Sequence, residues 1–96
     1  MTIEKKYKFQ EYLSFLIYDI SNIPEDEKVR EEFLATTKTT FNDIAKLNPE
    51  LDYEDHEAIT IIKNCFESAV SGSLSGNKAD RNRAEELICN LITKYS

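Results

Sequence analysis

Two glycines and two prolines are the only strong backbone breakers in 96 residues. Gly72 and Gly76 fall in one short stretch, and Pro24 and Pro49 stand far apart. So little punctuation rules against many short strands, because tight turns need residues that tolerate unusual backbone geometry. Long helices suit such a chain. Its length is that of one domain able to bury a single modest core, and an apolar content of 41 % is ordinary for one.

Periodicity places the helices. Phe9, Leu13, Leu16 and Ile20 recur at spacings of four, three and four, with Tyr12, Ile17 and Ile23 widening the stripe. The spacing predicts a first amphipathic helix over 3–22. A second is expected over 24–47, with Asn22 as cap, Pro24 in the first turn and acids placed to suit the helix dipole. Its buried face is Val29, Phe33, Thr37, Phe41 and Ile44, running through a Thr36–Thr40 stretch of weak helix propensity. Asn48-Pro49 ends it. The third helix is expected over 52–70 on Ile59, Ile62, Phe66 and Ala69, although its β-branched run would read as strand in isolation. Residues 71–78 read as a flexible loop. The fourth helix is expected over 79–95, capped by Asn77 or Asp80, on Ala84, Leu87, Leu91 and Tyr95. Together they predict an all-α, single-domain four-helix bundle over 1–96, or a closely related orthogonal helical packing.

No apolar run approaches the roughly 20 residues of a membrane span, and the apolar stretch near the N-terminus is broken by Ser14 and Asp19. Cytoplasmic residence is therefore expected. Cys65 and Cys89 sit among apolar residues and read as buried free thiols.

Charge is distributed unevenly. Residues 25–57 hold eleven of the eighteen carboxylates against four bases, so this third of the chain carries −7 and the remainder +1. A concentrated field of one sign governs which partners approach and how fast.

Catalytic and cofactor signatures fail on spacing. Gly72-Ser73-Leu74-Ser75-Gly76-Asn77-Lys78 has three residues between its glycines where a phosphate-binding loop needs four, and Ala79 replaces the magnesium-binding hydroxyl. Asp52 to Glu57 lacks the alternating ligands and central glycine of a calcium loop, and a single histidine, His56, excludes a His-rich zinc site. His56 is read at most as adding mild pH sensitivity to a partner interface. The cysteines lie on apolar faces, where a thiol resists ionisation. No enzyme activity, metal or cofactor is expected. Lys78, Arg81 and Arg83 could contact phosphate, but Asp80, Glu85 and Glu86 offset them and the overall charge of −6 opposes nucleic acid.

What remains is an acidic surface for a basic protein partner. The expected docking residues are Glu50, Asp52, Tyr53, Glu54, Asp55 and Glu57, with Glu25, Asp26, Glu31 and Glu32 as a second acidic surface. Tyr53 stands out because tyrosines among polar neighbours often anchor interfaces.

In size, acidity and helical architecture the whole chain resembles small bacterial immunity proteins. These include the all-helical proteins that protect against nuclease colicins, some partners of contact-dependent growth-inhibition toxins, and the bundles that protect producers of pediocin-like bacteriocins. The resemblance carries over no binding residue. It implies inhibition by binding, in which an acidic helical protein occludes the cationic cleft of a basic, nuclease-type toxin. Two other classes fit the same residues: a small regulatory or phage-borne adaptor, homodimeric through a helix face, and a DNA-binding regulator using Lys78, Arg81 and Arg83.

Overall fold

The computed structural model describes residues 1–71 and 78–96, and it is all-α over that range. Four helices follow in order: α1 (Ile3–Ser21), α2 (Glu27–Leu47), α3 (Tyr53–Ser71) and α4 (Lys78–Lys94). The loop expected over 71–78 is shorter at both ends, since Ser71 closes α3 and Lys78 opens α4; 72–77, and with it all but Lys78 of the segment compared with a phosphate-binding loop, lies outside the described residues.

Local chemistry sets each helix end. Thr2 caps α1 by accepting from the Lys5 amide at 3.2 Å. Asn22 does not cap α2 as expected. It closes α1 instead, its side-chain amide donating to the Tyr18 carbonyl at 2.7 Å. The cap of α2 is Asp26, which accepts from the Lys28 amide at 2.9 Å. Residues 24–26 therefore precede the helix, and the Pro24 carbonyl accepts from Arg30 Nε at 2.8 Å. Asp26 wins because the residue before a proline is driven to extended backbone, which separates Asn22 from any helix beginning beyond Pro24. At the other end Asn48 adopts the left-handed conformation, with φ 48°, and Pro49 cannot extend the helix.

The threonine run stays helical because its hydroxyls find partners within α2. Thr36, Thr37, Thr39 and Thr40 each donate to a carbonyl about one turn back, at 2.9 to 3.4 Å. Thr37 and Thr40 can therefore be buried at no cost in unpaired groups.

α1 packs against α2 and α4, α3 packs against the same two, and the diagonal pairs barely touch. Polar links give the directions. Lys5 Nζ donates to the Asn48 carbonyl, joining the start of α1 to the end of α2. Ser68 Oγ donates to Asp80, joining the end of α3 to the start of α4. Neighbouring helices are thus antiparallel, as in an up-down-up-down bundle. The molecule measures 39 × 22 × 18 Å.

The core lies along the bundle axis. Phe9, Leu13, Leu16 and Ile20 from α1 meet Phe41 and Ile44 from α2, Ile62, Cys65 and Phe66 from α3, and Ala84, Ile88 and Leu91 from α4. Phe41 and Phe66 cross edge to face with centroids 5.8 Å apart.

Two residues expected to be buried, Val29 and Cys89, are exposed, and so is Phe15. Val29 and Phe15 keep 46 % and 47 % of their surface in solvent. Cys89 is also exposed, unlike the buried Cys65. The line of α4 that faces inward is Ala84, Ile88 and Leu91, and one residue of helix turns Cys89 ~100° away from it. Burial raises the Cys65 thiol pKa, and the nearby Asp80 raises it further. In native protein a thiol reagent should modify Cys89 promptly and Cys65 only on unfolding.

Leu13 is fully buried, so Leu13→Ala should lower the unfolding free energy by about 2–5 kcal/mol. Phe15→Ala should cost far less, within about 1 kcal/mol. Urea titration of the two variants compares them directly.

Candidate docking surface

The antiparallel arrangement brings the start of α1, the end of α2, the start of α3 and the end of α4 to one end of the bundle. The acidic segment expected to dock a partner lies there, and its carboxylates separate into two groups. Glu50, Asp52 and Asp55 are engaged internally. Glu54 and Glu57 are exposed and make no ion pair among the described residues.

Asp55 is buried, at 6 % exposure. Its Oδ2 takes Lys94 Nζ at 2.9 Å and accepts a hydrogen bond from the Tyr95 hydroxyl. Asp52 caps α3, accepting from the Asp55 amide at 2.9 Å, and its other oxygen meets Lys94 at 3.0 Å. Tyr95 is held from the far side as well: its ring packs edge to face on Phe9 at 5.2 Å and its carbonyl accepts from Gln10 Nε2. The last residues of the chain therefore pin α4 to both α3 and α1. Glu50 closes the same end by pairing with the N-terminal ammonium at 2.7 Å.

Ionisation reflects these contacts. The Asp55 amide, and then Lys94, lower the Asp52 pKa, while the terminal ammonium lowers that of Glu50. Asp55 and then Asp52 hold Lys94 protonated well beyond the ordinary lysine range. Burial first, and the bond to Asp55 second, push Tyr95 up to about 12.

Tyr53, by contrast, is 81 % exposed at the start of α3. Tyr53 and Glu57 are one turn apart on the helix, and Glu54 lies beside them. The second expected surface lies elsewhere. Glu25, Asp26, Glu31 and Glu32 are exposed at the opposite end of α2, whose 21 residues span about 30 Å. Asp26 is occupied as a cap there. The negative third of the sequence thus forms two poles rather than one surface.

A groove of about 390 Å³ runs beside the first pole between α2 and α3. Phe41, Ile44, Leu51 and Ile59 line it, with His56 and Lys63 among the polar lining residues. Among the described residues no three His, Cys, Asp or Glu side chains converge as a metal set would. No helix there is long and apolar enough to cross a membrane. Lys78, Arg81 and Arg83 open α4 at the far end, interrupted by Asp80, which is tied to Ser68 at 2.7 Å.

Sequence reasoning missed the roles of Lys94 and Tyr95. They lie about 40 residues from Asp52 and Asp55, and only the return of α4 beside α3 joins them. The available signal was weak: Tyr95 continues the apolar period of α4, so its ring was expected inside, but nothing marked its hydroxyl for a carboxylate. No family model matches the chain, and no curated protein or solved structure matches it.

Tyr95 and Lys94 bind protons more tightly in the folded protein than in the unfolded chain. The Tyr95 contribution to stability is therefore complete below about pH 10, the unfolded tyrosine value, and is lost as pH rises toward about 12. Spectroscopic titration of the five tyrosines should show one phenolate forming near pH 12, a step that Tyr95→Phe removes.

Proposed function

We propose that this chain is a toxin-neutralising immunity protein that binds and occludes a basic, nuclease-type bacterial toxin. Tyr53, Glu54 and Glu57 form the centre of its docking face. The observation that carries this reading is the exposure of Tyr53 beside two unpaired carboxylates, on a helix start pinned by Asp52, Asp55, Lys94 and Tyr95.

Physical chemistry supports each part. Protruding tyrosines supply large contact area and are enriched among residues that dominate binding energy. Unpaired carboxylates accelerate encounter with a cationic surface and penalise acidic competitors. A pinned helix loses little further freedom on docking, which keeps the entropic cost of association low. Asp52 and Asp55 act as the mounting of this face. Charge reversal at Asp55 would disturb the fold as well as the surface, and so would not isolate the docking contribution.

Glu54→Lys with Glu57→Lys removes the steering charge and leaves the Asp55 contacts intact. The test reads the genes beside this one for a secreted nuclease-type toxin, co-expresses its toxin domain with this chain and follows binding by stopped flow. The wild-type chain should protect the cells. The double variant should fold normally but associate at least tenfold more slowly at low salt, with the difference shrinking as salt rises. Failure of the wild-type chain to bind or protect overturns the function, and an unchanged on-rate for the double variant overturns the face.

A further inference from the structure

The groove between α2 and α3 is separate from the docking residues, since none of Tyr53, Glu54 and Glu57 lines it. It exists because α2 and α3 are the least closely packed of the four neighbouring helix pairs. Its floor reaches the core. Phe41 and Ile44 are buried, and Leu51 and Ile59 are half-buried against the same cluster. At about 390 Å³ it falls in the size range of small-molecule sites, which in bundles sit between helices.

Both ends are shut. Pro49 and Leu51, from the link between the helices, close one end. At the other, the Phe41 ring lies edge to face on Phe66 of α3. Between them the lining on α3 runs only from His56 to Lys63, ~10 Å of helix. A partner's helix or strand would have to ride over the link or the aromatic pair. A compact molecule would not.

Charge selects the kind of molecule. No carboxylate lines the groove, although the chain as a whole carries −6. The ionisable residues that line it are Lys63 and His56, two turns apart on one face of α3. Both are exposed, and neither side chain makes an ion pair or hydrogen bond among the described residues. Thr60, between them, is already committed, its hydroxyl donating to the His56 carbonyl at 3.2 Å. Lys63 stands one turn before Phe66 and Asn42 directly follows Phe41, so an ammonium and an amide share the end closed by the aromatic pair.

We propose that this groove binds a small organic monoanion with an apolar body, of the medium-chain carboxylate type. The body lies on Phe41, Ile44, Leu51 and Ile59, where it leaves water. The carboxylate meets Lys63, with the Asn42 amide as a second donor.

Octanoate and octylamine, equal in chain length and opposite in charge, test this on the full chain by NMR, read at Ile44, Ala45 and Ile59. Octanoate should shift these signals saturably and bind at least about fivefold more tightly than octylamine. The overall charge of −6 favours the amine, so that preference has to come from the groove itself. Lys63→Glu, at an exposed position, should invert it. Ala45→Trp fills the groove from its exposed α2 side and should abolish both responses while the helical circular dichroism is kept. No saturable response to octanoate leaves the groove to a protein segment and overturns the proposal. Equal binding of the two probes, or octanoate binding unmoved by Lys63→Glu, overturns the recognition of an anion. Octanoate binding that survives Ala45→Trp overturns the location.

Discussion

The carboxylate of Asp55 is the only buried charge among the described residues, and the packing of one end of the bundle is organised around it. A carboxylate withdrawn from water is costly unless charge and hydrogen bonds replace its hydration. Lys94 and the Tyr95 hydroxyl do so, from a helix that begins more than twenty residues later in the chain. Satisfying that one group positions the end of α4 against the start of α3. Phe9 and Gln10 then fix Tyr95 against α1, so the same contact defines how three helices meet.

This anchoring changes what the acidic middle of the chain can do. Charge that reads as one surface in sequence is divided by the length of α2 into two poles about 30 Å apart. At the first pole, Glu50, Asp52 and Asp55 are committed to cations of the same chain, and only Tyr53, Glu54 and Glu57 face outward unengaged. Electrostatic strength is lost, but the helix start that carries the remaining groups is pinned. For a binding surface that is a favourable exchange, because a rigid face with few charges can be more selective than a loose one with many.

Much of the architecture was legible from periodicity. The stripes Phe9–Leu13–Leu16–Ile20 and Ile62–Phe66–Ala69 are buried, and the turn at Asn48-Pro49 stands where expected. The β-branched run before Lys63 is helical because Ile62 and Phe66 must share the face turned to the core. Errors arose where periodicity is indifferent. It could not tell that the start of the α2 stripe at Val29 would stay exposed. Nor could it separate Ile88 from Cys89, since either can be drawn onto an apolar face one residue wide. The choice between Asn22 and Asp26 as cap turned on the backbone before Pro24, which outweighed the side-chain preference.

The sequence by itself determined that this protein is four amphipathic helices, acidic in its middle third, with a glycine-containing segment that lacks the spacing of a phosphate-binding loop. Those properties follow from local chemistry: helix periodicity, breakers, caps and fixed charges. Only the tertiary structure decided which carboxylates pair with cations of the same chain and which remain unpaired on the surface, because pairing depends on distance in space. Asp52 and Asp55 look no different from Glu54 and Glu57 until α4 returns beside α3 and brings Lys94 and Tyr95 to them.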